Sequence, residues 1–191
     1  VGLFDILRGE RKPKRANLDR LFALTTAKMT LDTGLDLRPT GRAAVCFKPV
    51  QAGAFQEVLR DLDQLLELAG KTSGTTVRQT TDSYGFVWVE LEDDDFDDLV
   101  GTTHLVNQTI EERGFSEQLL CSVFGFRPAD GSDAPVDFVY LYKRGTFYPF
   151  APRGEPKRDN ALELRLQAAL GTELPIEPEL ERWYPVWGAP I

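Results

Sequence analysis

VDFVYLYKRGTFYPFAP, residues 136–152, is the densest apolar and aromatic stretch of the chain. Along it Val136, Phe138, Tyr140 and Tyr142 alternate with Asp137, Val139, Leu141 and Lys143. A period of two is that of a β-strand, and apolar residues at both sets of positions mark a strand buried on both faces or nearly so. Gly145 can take the positive φ of a reversal or bulge. Thr146 to Phe150 then reads as a second strand, stopped by Pro149 and Pro152. The rest of the chain is expected to wrap around this ribbon.

Upstream, Leu119 to Phe126 (LLCSVFGF) is almost wholly apolar and reads as an interior strand, joined to the ribbon by turn-forming residues from Pro128 to Pro135. Before it, the run of Asp93, Asp94, Asp95, Asp97 and Asp98 complements the dipole at the start of a helix. Phe96, Leu99, Val100, Val106 and Ile110 give that helix a buried stripe, and Gly114 ends it. Val77 to Thr81 and Tyr84 to Glu92 read as a hairpin turning at Asp82 and Ser83, with Phe86 and Trp88 on one face and Val87 and Val89 on the other. Phe55, Val58, Leu59, Leu62, Leu65, Leu66 and Ala69 keep helical spacing, with Gly70 at the C-terminal end. Arg42 to Val50 is expected to be the first strand, with Pro39 and Gly41 closing the connection before it. Asn17 can cap a helix striped by Leu18, Leu21, Phe22 and Met29. Downstream, a polar loop from Arg153 to Asp159 leads to Asn160 and Glu163, spaced as a capping box. Leu162, Leu166, Ala169 and Leu170 face the core from that helix. Hairpin connections dominate the second half, so the expected fold class is α+β: a single domain with a mainly antiparallel sheet and helices packed on it.

The 191 residues suit one core, placed at 17–191, preceded by a tail at 1–16. That tail carries five basic and two acidic side chains, a net of +3 that leaves −11 of the total −8 on the body. An acidic body repels nucleic acid and anionic membrane at long range, so no nucleic-acid partner is expected. Within the tail, Leu3, Phe4 and Leu7 share a helical face, and Arg11 and Lys12 begin a basic run; this is the pattern of an interfacial membrane anchor. The alternative is a face docked on the protein's own body beside a solvated linker. No run is long enough to span a bilayer. The basic residues follow the N-terminal apolar patch, the reverse of a secretory signal. A cytoplasmic protein is expected, with peripheral contact at the inner face of the membrane if the tail acts as an anchor. Cys46 and Cys121 fall in predicted strands and read as buried thiols.

The common catalytic patterns are missing. His104, the single histidine, lies in a predicted helix, and no serine occupies a nucleophile elbow. One histidine and two distant cysteines give no zinc spacing. Gly70-Lys71-Thr72 lacks the earlier glycine of a P-loop, and a helix precedes it where a strand is required. The aspartates from Asp93 have Asp98 where an EF-hand needs glycine and His104 where it needs glutamate. No enzyme activity, cofactor or metal is therefore expected. Two clusters remain as binding candidates. Lys143, Arg144, Arg153, Lys157 and Arg158 flank the ribbon beside Tyr140, Tyr142 and Tyr148, where guanidinium groups suit phosphate or carboxylate and tyrosines supply hydroxyls. Trp183, Tyr184 and Trp187 either anchor an interface or clasp the C-terminal segment onto its own sheet.

The same segments resemble a known family, the PspA-associated protein PspAB. The resemblance rests on GLFDILRG (2–9), NLDRLFAL (17–24), AVCFKPV (44–50) with Gly53-Ala54-Phe55, YGFVW (84–88) and QLLCSVFGF (118–126). VYLYKRGTFYPFAP (139–152), RDNALELRLQAALG (158–171) and LPIEPELERWYPVWGAP (174–190) are its most specific parts, and Arg78 to Glu112 matches more loosely. It implies a prokaryotic accessory protein of the envelope-stress response, partnered with the coiled-coil, membrane-remodelling phage-shock protein A. It transfers no catalytic residues. The element order is also similar to YbjN-like and secretion-chaperone folds, an analogy of fold alone. The function expected is a non-enzymatic adaptor that binds a protein partner. The alternatives are an enzyme or sensor for a small anionic ligand at Arg144 and Arg153 to Arg158, and a chaperone-like homodimer using the ribbon edge.

Overall fold

Six strands in the order β2-β3-β1-β4-β5-β6, every neighbouring pair antiparallel, make one open sheet. They are β1 (Leu37–Phe47), β2 (Thr76–Thr81), β3 (Val87–Glu92), β4 (Leu119–Pro128), β5 (Val136–Leu141) and β6 (Thr146–Phe150). The helices are α1 (Ala23–Met29), α2 (Phe96–Glu112) and α3 (Asn160–Leu170), together with helical residues 57–62. This computed structural model describes residues 18–48, 53, 57–62, 64, 67 and 74–191. The tail 1–16, the cap Asn17 and the flanks of the 55–69 helix lie outside the described residues. The class is α+β, as the hairpin-rich pattern predicts.

One face of the sheet carries the main core. Val45, Phe47, Val89, Phe124, Phe126, Phe138, Tyr140 and Phe147 point into it from the strands, and Leu24, Val58, Leu62, Leu99, Ile110 and Leu166 from the helices. β5 is buried along almost its whole length, which is what apolar residues at both parities foretold. Its turn into β6 uses Gly145 at φ 67°, where a side chain would be strained.

Several local expectations are corrected. β1 begins at Leu37 and runs through Pro39 and Gly41. β3 reaches only as far as Arg42, so Pro39 lies where β1 has a neighbour on one side alone and its missing N–H breaks no second ladder. Pro149 likewise lies inside β6, which is an outer strand of the sheet. The first helical region is a 3-10 turn (Leu18–Phe22), then α1, then a π turn (Thr30–Gly34). Its buried stripe is Leu21, Leu24, Ala27 and Leu31, while Phe22 is exposed and Met29 is 75% exposed. Tyr84 and Phe86 belong to the turn between β2 and β3, not to the strand. The cap of α3 is Asp159, which accepts from the Leu162 N–H at 2.9 Å. Glu163 instead accepts from the Ala151 N–H and from Arg158, and Ala169 is exposed.

Candidate functional site

The second face of the sheet is smaller and mostly apolar: Ala44, Cys46, Trp88, Cys121, Val123, Val139, Tyr148 and Phe150. No α-helix among the described residues covers it; the C-terminal segment does. Trp183 stacks on Tyr148 with ring centroids 6.0 Å apart, and its indole N–H donates to the Glu177 carbonyl at 3.0 Å. The Tyr148 hydroxyl donates to the Tyr184 carbonyl at 2.8 Å, Arg158 donates to the Trp183 carbonyl at 2.7 Å, and Trp187 meets Phe150 edge-on at 4.8 Å. These bonds fix a strap across β6 and β5.

Between the strap and the β2–β3 turn the face stays open as a cleft of about 600 Å³. Phe86 and Trp88 form one wall, Pro185 to Trp187 the other, and Cys46, Leu120, Cys121, Leu141 and Tyr148 the floor. Asp82 builds the first wall. Its Oδ1 accepts from the N–H groups of Tyr84 and Phe86, each at 2.9 Å, and its Oδ2 accepts from the Trp88 indole at 3.0 Å. Desolvation alone would raise this carboxyl, but these donors outweigh it and hold Asp82 below its ordinary value. The carboxylate thereby folds the turn and fixes the indole. Two tyrosines stand at the rim, Tyr84 at 81% and Tyr184 at 61% exposure. An apolar floor with fixed aromatic walls and hydroxyls at its lip suits an apolar or aromatic group from outside.

The floor contains a β-bulge. Cys46 pairs with Cys121, but Phe47 pairs with Leu119, so Leu120 is the extra residue. That is why Leu120 and Cys121, neighbours in sequence, both face the cleft.

The whole of residues 1–191 matches the model of one family, PspA associated protein B. The chain belongs to the PspAB family. Neither the curated proteins nor the solved structures give a match to it.

The residues that sequence reading proposed as a site in this PspAB chain are dispersed. Tyr142 lies on the main-core side, fully buried and hydrogen-bonded to Ser122. Lys143 is exposed and donates to the Glu117 carbonyl. Arg144 pairs with Glu177 and, at 2.9 Å, with Glu179. Arg153 pairs with Asp159 at 3.3 Å, and Arg158 with Glu163 at 2.8 Å. These guanidinium groups tie the strap and the α3 loop to the sheet. Trp183 acts as the clasp, and Trp187 is half-buried in the cleft wall. Leu3, Phe4, Leu7, Arg11 and Lys12 lie outside the described residues. Among the described residues no three His, Cys, Asp or Glu side chains are grouped to share a metal ion, and no helix is long and apolar enough to cross a membrane. The parts sequence reading missed are Asp82, Leu120 and the pairing of the two cysteines. For Asp82 a signal existed, since Asp-Ser-Tyr-Gly is a turn sequence in which aspartate bonds the backbone ahead of it. The other two follow from strand register, which leaves no local mark.

Proposed function

We propose that this PspAB protein is a non-enzymatic adaptor of the PspA envelope-stress system, and that it seats an apolar side chain of a PspA-type partner in the cleft on the second face of the sheet. The observation that carries the reading is the pairing of a fixed aromatic cleft with two exposed tyrosines at its rim. Buried aromatic anchors surrounded by a polar rim are the usual source of binding energy at protein interfaces. The family's name supplies the class of partner. The net charge of −11 on the body favours a basic surface on that partner and predicts weaker binding at high salt.

The test is titration of the chain against purified PspA by calorimetry or pull-down. Replacing Tyr84 and Tyr184 together by alanine should weaken binding by about tenfold or more, equivalent to about 1.4 kcal/mol. The melting temperature should stay unchanged, because both rings are exposed. Wild-type protein that fails to retain PspA would sink the adaptor reading; equal binding by the double variant would move the interface elsewhere. The basic run of residues 1–16 supports membrane contact at the inner face. Deleting 1–16 should reduce co-flotation with anionic liposomes, and unchanged flotation would remove that part of the proposal.

A further inference from the structure

Cys46 and Cys121 are 75 positions apart in sequence and directly opposite each other on β1 and β4. Both thiols are free. Directly opposed residues of antiparallel strands have Cα atoms roughly 4.5–5.5 Å apart. Disulfides span roughly 4.4–6.8 Å between Cα atoms, so either kind of antiparallel pair falls inside that range. The Leu120 bulge adds local freedom on one side of the pair. Both sulfurs line the floor of the cleft, with Cys121 at 8% and Cys46 at 4% exposure. A small polar oxidant can therefore reach them without unfolding the sheet. The apolar surroundings favour a neutral disulfide over a thiolate. The neighbouring Cys121 sulfur, then burial, push the Cys46 thiol above its ordinary value, so it is protonated in the resting state.

We propose that this pair is a redox-modification site, at which a peroxide converts the two thiols into a cross-strand Cys46–Cys121 disulfide. Cys121, the more exposed, gives its proton to solvent, and its sulfur attacks one peroxide oxygen. The O–O bond breaks, a sulfenic acid forms and the other oxygen leaves as water or alcohol. Cys46 then loses its proton as its sulfur attacks the sulfenic sulfur, and the hydroxyl leaves as water. Two electrons pass from the thiols to the peroxide, and with hydrogen peroxide the products are one disulfide and two waters. The assignment does not rest on the adaptor reading, although a partner seated in the cleft would shield both sulfurs.

The experiment exposes the folded full-length chain to hydrogen peroxide, quenches with acid, unfolds it, alkylates free thiols and reads intact mass and peptide map. The expected product is a monomer lighter by two hydrogens, with the Cys46 and Cys121 peptides joined and both alkylation sites lost, restored by a phosphine reductant. In Cys46→Ser the sulfenic acid on Cys121 has no resolving thiol, so labelling by dimedone should rise well above wild type. Both thiols still alkylated after exposure would overturn the assignment. So would cross-links only between chains, or higher sulfur oxides without the internal cross-link. If Cys46→Ser does not fold, the wild-type peptide map decides alone.

Discussion

Asp137 breaks the pattern of the ribbon. It sits mid-sheet between Gly125 and Phe150, 8% exposed. Burial pushes its carboxyl up to about 7 from an ordinary 3.8. Between those two values the folded chain holds a proton that the unfolded chain has lost, so stability falls as pH rises from about 4 to about 7 and stays at its lower level above that. That displacement sets a ceiling of about 4 kcal/mol on the effect. Asp137→Asn should remove this slope and raise stability at pH 8 relative to wild type. Denaturant melts of both proteins from pH 4 to 8 would check it, and parallel curves would refute it. Glu177 shows the opposite balance. Desolvation raises its carboxyl, but Arg144, Thr146 and the Glu179 N–H together hold it below its ordinary range. A buried carboxylate with that many donors is a fastening for the strap.

The first helical region tests how far periodicity can be trusted. Helical spacing allows Leu18, Leu21, Phe22 and Met29 to share one face, the stripe expected from the sequence. Leu21, Leu24, Ala27 and Leu31 keep helical spacing as well, and packing into the main core selects this neighbouring stripe over the other. Leu24→Ala should therefore cost about 3 kcal/mol, since Leu24 is wholly buried. Met29→Ala should change stability by less than about 0.5 kcal/mol. Thermal melts of the two variants separate the observed stripe from the expected one. Glycine has a specific place just before the part of β1 that is paired on both sides. Gly41 has φ 76°, and a Cβ there would lie 2.9 Å from the Asp93 carbonyl oxygen, which is backbone and cannot give way. Its own carbonyl accepts from the Asp93 N–H at 2.9 Å, so this turn of β1 holds the chain leading into α2.

At the scale of the whole molecule the two faces of the sheet are closed by different means. The main-core face is closed by helices from four parts of the chain, the other by a strap with little regular structure. Ending the chain after Arg182 should uncover Tyr148, Phe150 and Trp88 together. The expected outcome is a folded but self-associating protein that binds a hydrophobic dye, measured by light scattering and fluorescence. A monomer with unchanged dye binding would show that the strap is not what shields this face. The α+β class, five of the six strands within a few residues and the buried faces of α2 and β5 were legible in the residues alone. Each depends on periodicity, turn chemistry or composition, and these act over a few neighbouring positions. The disposition of the arginines was not legible, because a charge near a strand end reads the same whether it faces solvent or a carboxylate 33 residues away, as Arg144 faces Glu177. Nor was the cleft, whose walls come from a turn near residue 84 and a strap near residue 185. Family membership and secondary structure were thus set by local sequence. The thiol pair, the cleft and the fastening of the strap were decided only when the strands took their register, because register is fixed by the sum of contacts across the sheet and not by any one segment.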